Sequence, residues 1–559
     1  MSLPNFDHQI ELLGLQGQRE TLFETKDRYR IFAEKIYPIL VNARARLEAC
    51  YCADNGRPGV EPVLVLGVSL LQFIERLPDR QALEHLRYHV GWKVALGQEL
   101  DSAVFDPTVL VRFRQRLIEH NQERLIFEEV LTALEAEGLV TKRGSQQRLD
   151  STHVLGLVRR MSSLDCVREA LRLALQALAE EGSSGRPEFW AMLWERYVEN
   201  TVDYRAGSEV VAKKLIQTGE DGQALLEWLD KRRAKRNAKS QGAIELLKKI
   251  WAENFVVTPE AQPAVAVKAM TGESRIENPH DPDASYRAKG KDKKWVGYAM
   301  QVAEALPVNE KGELEKGTGF LTSMESHTAR GSDAAGLDQT FAAQEAMGFE
   351  KPKTLFVDTA YVSAEGLAEA AGENRELIGP VMPSHAPKKG YSVEMFRVDI
   401  ATRKAVCPAG QTSTQCSRIE DRYNEKVEYR FEWSWKCGTC ALREKCLGSK
   451  QDHRTIRVRD NFMYLQARRD EIKTEAFKER MKYRAGIEGS ISELVRGYGL
   501  RHARYRGLAK MSLQGYFIGA ACNIQRWIRR IIVNLFVLGD YNPFAKDPAW
   551  TFRFAFPAA

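Results

Sequence analysis

QQRLDSTHVLGLV (146–158) is where the chain changes character. Val154, Leu155 and their neighbours predict a short buried strand behind the polar QQR, with Asp150 in it. Upstream, residues 1–140 read as all-α. There FETKDRYRIFAEKIYPILVNARARLEAC mixes apolar and charged residues at helical spacing. An apolar run from Pro62 to Ile74 follows, then a helix over Gln81–Tyr88 and another in FDPTVLVRFRQRLIEHN, where Asp106 is the expected cap. Downstream, 159–255 is helical again. WVGYAMQVAEAL (295–306) and GTGFLTSMESH (317–327) then read as two strands, joined by a loop with Asn309, Lys311 and Gly312. DAAGLDQTFAAQEAMG (333–348) is a helix, and KTLFVDTAYVS (353–363) a buried strand whose apolar run ends at Asp358. SAEGLAEAAGEN is a short helix and ELIGPVM a strand. A cysteine-bearing insert spans about 385–460, and helices over 472–498 and 506–536 precede an aromatic tail. The order describes a mixed α/β core with helical parts before and inside it.

At 559 residues the chain can bury a large core unaided. With 82 basic and 75 acidic residues the net charge of +7 permits a polyanion partner without requiring one. The longest uncharged stretch, Met511–Gln525, is too short for a bilayer, which needs ~20 apolar residues. No secretory signal is visible in MSLPNFDHQIELLG, and an odd count of nine cysteines fits a reducing cytoplasm.

Asp150 and Asp358 are expected at strand ends, where open α/β sheets place catalytic groups. Glu488 lies four residues after Arg484 on a helix. Three carboxylates from three elements could hold two Mg²⁺ ions for in-line phosphoryl displacement. Equally, an Asp at a strand end can be a cap, and Arg484 with Glu488 an ordinary helix pair. Glu493 is a rival acid. It lies about 140° around the helix from Glu488, so the two cannot share one metal pair.

Cys437 and Cys440 form C-x₂-C, and Cys407 and Cys446 can complete a Cys₄ set for structural Zn²⁺; four reduced buried thiols are the alternative. Cys416 is left over. Trp433 and Trp435 in FEWSWKC could stack on a base or simply pack. Basic residues recur on helices, as DNA contacts or as solvated faces: Arg112, Arg114 and Arg116, then KRRAKRNAK (231–239) with Arg232, Arg233 and Arg236, read as one basic helix. Arg501, Arg504, Arg506 and Lys510 follow Glu488 and are expected to track a DNA backbone. Asp281 and Asp283 read as turn formers, and His153 as a neighbour of the Asp150 site.

Several blocks, in this order, resemble a DDE transposase of a bacterial insertion sequence. They are GRPGVEP, LPDRQALEHLRYHVGW and FDPTVLVRFRQRL near the N-terminus, then LDSTHVLG, HTARGSDAAGLDQ with LFVDTAYVS, and YRAGIEGSISELVRGYGLRHARYRGLAK. The resemblance implies a ribonuclease H-like mixed sheet. Residues 1–140 would be an all-α DNA-binding and dimerisation domain, 141–158 with 262–384 the first part of the core, and 159–261 a helical insertion. Residues 385–460 would be a cysteine-rich insertion, 461–540 the closing helices and 541–559 a tail. It implies Asp150, Asp358 and Glu488 as the acidic triad on Mg²⁺, with Mn²⁺ able to substitute, and Arg484 on a phosphate. Relatives often carry Tyr, two residues, Arg, three residues, Glu, six residues, then a base. Arg484 and Glu488 keep that spacing, whereas Met481 stands at the Tyr position beside Tyr483, and Val495 at the basic one beside Arg496. The implied activity is cleavage at terminal inverted repeats and strand transfer into target DNA by a cytoplasmic homodimer. A nuclease without strand transfer and a DNA-binding protein with a dead site are the rivals.

Overall fold

The structure, a computed structural model, describes residues 14–52, 59–182, 186–200, 207–232, 236–258, 265–268, 275–289, 293–309, 313–315, 317–384, 390–421, 426–448 and 450–537. Arg233, the loop residues Lys311 and Gly312, part of GRPGVEP and the 541–559 tail lie outside them.

Short helical turns between Arg19 and Glu48 lead into α1 (Pro62–Glu75), α2 (Asp79–Tyr88), α3 (Thr108–Glu119) and α4 (Leu125–Ala136). The apolar run of α1 is buried all round, which is why it shows no polar face. Strand β1 (Gln146–Leu155) follows. Helices α5 (Ser163–Glu180), α6 (Ser208–Lys231) and α7 (Ala238–Asn254) come next and share a separate apolar core around Leu171, Leu225 and Leu247. KRRAKRNAK is not one helix: Lys231 ends α6, and the Asn237 side chain caps α7 by accepting from the Ser240 amide. A Ser/Asn-type cap outcompetes continuation here.

Strands β2 (Ser285–Lys289), β3 (Lys293–Ala305) and β4 (Leu321–Thr328) precede α8 (Asp333–Ala346). Then come β5 (Thr354–Phe356), α9 (Ala364–Gly372) and β6 (Glu376–Ile378). The sheet order is β2-β3-β1-β5-β6, with β4 also on β3. β1 runs antiparallel to β3 and parallel to β5, and β5 parallel to β6. Gly297 pairs with both Leu155 and Ser285, so β2 lies on the β3 edge away from β1, where β4 takes over from Tyr298.

The cysteine-bearing segment forms a second sheet from β7 (Gln415–Asp421), β8 (Lys426–Glu432) and β9 (Thr455–Arg459). Helices α10 (Phe462–Glu471), α11 (Glu475–Tyr498) and α12 (Leu508–Val537) follow. The Thr474 hydroxyl caps α11, and Gly499 closes it at φ 73°.

Strand alternation divides the residues of β1 and β3 between two layers. Val154, Met300 and Val302 face α12 and the N-terminal helices in one continuous core that includes Leu66, Phe113, Phe127 and Phe517. Leu149 and Ala303 face the other way, towards Leu337, Phe341 and Leu367 of α8 and α9. The N-terminal helices therefore close one face of the sheet together with α12. Asp281 and Asp283 do more than turn the chain. Asp281 is buried and accepts from the Tyr298 hydroxyl and the Gly507 amide, while Asp283 accepts from the Leu508 amide. They fasten the N-terminus of α12, whose free amides favour a carboxylate. Among the described residues no helix is long and apolar enough to cross a membrane.

Candidate active site

Asp150 is not at a strand end. It is the fifth of ten residues in β1 and pairs with Val302 of β3. What ends beside it is the parallel pairing, which covers Gln146–Arg148 against Thr354–Phe356. Two residues beyond the paired Arg148 and Phe356 come Asp150 and Asp358. Asp358 falls just past β5, where its carboxylate accepts from the Thr359 amide and starts a turn of 3₁₀ helix.

Helix α11 crosses the same end of the sheet and brings Arg484 over both acids. Its Nη2 lies 2.9 Å from Asp150 Oδ2 and 3.8 Å from Asp358 Oδ2, and its Nη1 lies 3.4 Å from Glu488 Oε1. One guanidinium thus gathers three carboxylates from three elements. Its Nε is buried and has no acceptor among the described residues. Asp150 is mostly covered, Asp358 half-exposed, and the Glu488 side chain 70% exposed. Burial pushes the Asp150 carboxyl up; Asp358 and Asp333 push the same way, against the Ser151 amide and Arg484.

Asp333 is a fourth carboxylate that the sequence reading missed. It is the first residue of α8; the Ser151 hydroxyl donates to it at 3.2 Å and Arg287 lies 3.8 Å away. The helix over 333–348 was legible, but nothing local says which strand its start abuts.

Beneath the acids lies a buried ionic network, also missed. Glu304 is fully buried and accepts from Arg148 Nε at 2.8 Å, the Ser490 hydroxyl at 2.8 Å, the Gly319 amide at 2.8 Å and Arg526 Nη1 at 2.9 Å. Arg148 also donates to the Tyr483 carbonyl on α11. Gly486 is shaped by this contact, since a Cβ there would sit 1.9 Å from Arg148 Nη1. A Cβ on Gly489 would meet nothing. Charged residues inside apolar runs, Glu304 in YAMQVAEAL and Arg526 in CNIQRWI, were the available signal.

Glu493 belongs to that network. It accepts from Arg526 at 2.8 Å and from Arg529 at 2.9 Å, and these guanidinia hold its carboxyl down against burial. The two arginines thus turn it away from Asp150. Tyr483 packs near Phe356, and its hydroxyl donates to the Leu314 carbonyl.

The basic residues divide by what they already hold. Arg114 is buried in an ion pair with Asp79, and Arg116 lies over the Tyr51 ring. Arg504 is stacked on Phe73 and donates to the Leu77 carbonyl. Arg501 donates to the His153 carbonyl, and Arg232 lies over Trp228. Arg112, Arg496, Arg506 and Lys510 are exposed, and Arg236 is partly so.

The four cysteines Cys407, Cys437, Cys440 and Cys446 line one small cavity closed by Tyr391, Trp433 and Leu447. The Arg454 amide donates to the Cys437 sulfur at 3.4 Å. Burial pushes the Cys446 thiol up, and so do the other three cysteines. Trp433 is buried and its Nε1 donates to the Gln411 carbonyl, so it has no free face. Trp435 is 76% exposed beside Lys436. Among the described residues no group of three His, Cys, Asp or Glu side chains is disposed to hold a metal ion as it stands. The donor chemistry nevertheless fits: three hard oxygen donors already share one cation at the sheet, and four sulfurs face one cavity.

Three carboxylates from three elements are thus gathered on one guanidinium beside the end of the parallel pairing. Residues 406–528 match the transposase DDE domain model, and residues 18–116 match the transposase domain (DUF772) model. The two matches support a DDE-type transposase of an insertion sequence. The first takes in Glu488 and the cysteine segment and leaves Asp150 and Asp358 outside. No curated protein and no solved structure matches the chain.

Proposed function

We propose that the protein is a DNA transposase that cleaves at terminal inverted repeats and joins the ends to target DNA. The observation that carries this is the single guanidinium of Arg484 on Asp150, Asp358 and Glu488. The sheet order, with its first strand antiparallel to one neighbour and parallel to the other, supports a ribonuclease H-like core. In this reading Asp150, Asp358 and Glu488 hold two Mg²⁺ ions, or Mn²⁺ in their place. When bound, the ions stabilise the attacking and leaving oxygens of an in-line displacement. Arg484, released from the acids, turns to a phosphate oxygen, for which its unpaired Nε is a ready donor. The partner is double-stranded DNA. Residues 1–140 take part in end binding, and a homodimer brings two ends together.

A nuclease without strand transfer would use the same acids. The test is an assay of the purified chain with a labelled duplex carrying the element's terminal repeat, a supercoiled target and Mg²⁺. Covalent joining of the labelled end to target is the expected result. Cleavage without joining would favour the nuclease, and neither product would overturn both readings.

Cys407, Cys437, Cys440 and Cys446 are proposed as a structural Cys₄ zinc site, and the amide donated to Cys437 is what a thiolate wants. Elemental analysis should find one zinc per chain, and Cys437→Ser should lose it along with thermal stability. Metal-free wild type with four freely alkylated thiols would end the idea.

A further inference from the structure

The hairpin of β2 and β3 plays no part in the triad, yet it carries concentrated positive charge. Lys289, Lys293 and Lys294 are all exposed, and none pairs with a carboxylate among the described residues. Lys289 and Lys293 stand opposite each other in the ladder, and Lys294 opposite Ala288. Like charges directly opposed in a β-ladder destabilise it, so the pattern needs a reason outside the fold.

The hairpin is joined to the candidate active site through β1. Gly297 of β3 pairs with Leu155, and β3 then runs antiparallel to β1 past His153 to Asp150. His153 is three residues beyond Asp150, roughly 10 Å along the strand. Its ring lies 4.9 Å from the Trp295 ring at the base of the hairpin, and its carbonyl accepts from Arg501. Burial, Arg501, Lys289 and Lys293 push the His153 ring down to about 4. Those cations therefore converge on one place, and they do so from β2, β3 and the loop after α11. Arg287, on β2, shares that face but is already engaged, donating to the Ala329 carbonyl.

Lys289 and Lys293 share the His153 face of the hairpin and Lys294 stands on the other, eight residues along β3 from Val302, the partner of Asp150, or roughly 26 Å; a polyanion with regularly spaced charge spans that distance. From this juxtaposition we infer that Lys289, Lys293 and Lys294 of the hairpin, with Arg501 at its base, form a binding site for the phosphate backbone of the duplex whose scissile bond lies at Asp150. The inference rests on the transposase reading and adds a contact to it. Backbone contacts of this type carry no sequence information; they fix register and raise affinity. The hairpin thus sets how far the duplex runs past the acids before it leaves the protein.

The test measures binding of the full-length chain to a fluorescent mixed-sequence 40-base-pair duplex, without divalent metal, across a series of salt concentrations. Each phosphate contact contributes a slope of about −0.9 in log K against log salt. The variant K289Q/K293Q/K294Q should flatten the slope by about 2–3 and weaken binding at least about tenfold near 100 mM salt, with an unchanged melting temperature. The matched variant K35Q/K142Q/K351Q removes three lysines that already hold carboxylates and should leave the slope unchanged. Wild-type slope in the hairpin variant, or equal flattening in both variants, overturns the inference and leaves the transposase reading standing. Absence of any salt-dependent binding by wild type overturns both.

Discussion

Glu488→Gln should lower metal-dependent end cleavage by at least about a thousandfold while Glu493→Gln keeps it near normal. The two glutamates sit five residues apart on α11 and have opposite surroundings. Glu488 is exposed, pairs with Arg484, and shares that guanidinium with Asp150 and Asp358. Glu493 is held by Arg526 and Arg529 on the side facing α12. Their stability effects should be reversed. Removing an exposed charge leaves the melting temperature alone, whereas Glu493→Gln leaves the buried Arg526 short of one of its two carboxylates and lowers it. Asp150→Asn and Asp358→Asn should abolish cleavage as Glu488→Gln does, with end binding kept in all three. A gel assay of nicking on a terminal-repeat duplex in Mg²⁺, beside thermal melting, reads both quantities. Equal loss of cleavage from both glutamate variants would place the metal elsewhere on the helix.

Glu304→Ala is the change expected to cost the most folding stability. It leaves the buried Arg148 without its carboxylate and the buried Arg526 with Glu493 alone; their side chains are 3% and 6% exposed. Breaking a buried ion pair from one side costs about 3–5 kcal/mol, because the remaining charge stays out of water. Gly486→Ala attacks the same network from α11 by displacing Arg148, and its loss should be smaller because the guanidinium can shift. Gly489→Ala, which meets open space, should be neutral or gain up to about 1 kcal/mol of helix propensity. Urea unfolding followed by tryptophan fluorescence ranks the three. A Glu304→Ala loss below about 1 kcal/mol would mean that the carboxylate does not hold the two arginines together.

Much of this was readable in the sequence because it is local. The strand around Asp150, the pair of strands after residue 293, the helix from Asp333 and the closing helices follow from period, caps and turn residues. The spacing of Arg484 and Glu488 puts those two on one face, and the structure pairs them while Glu493 pairs with Arg526. The misreadings share a cause, which is that a local pattern has no knowledge of its neighbours. Asp150 looked terminal, but β3 extends the strand past the point where β5 lets go. Nothing local explains Gly486, and Arg148 fills the space a side chain there would take. Arg114 and Arg504 looked like DNA contacts, and Asp79, Phe73 and the Leu77 carbonyl hold them. Trp433 and Trp435 look alike in FEWSWKC, but only Trp435 presents its ring to solvent.

Helix α12 packs against both the first helices and the sheet, and its Arg526 holds the network under the acids. On the ribosome this has a cost in time. A nascent chain can make β1 and β5 and present Asp150 and Asp358 long before residue 526 has emerged from the exit tunnel. Until then the sheet face carrying Met300, Val302 and Met324 has no lid, and Glu304 has lost one of its two arginines. Such long-range closure folds slowly and leaves apolar surface exposed to aggregation meanwhile. Synthesis of this protein should therefore lean on holdase chaperones until α12 is free, and chains stalled short of α12 should be insoluble rather than partly active.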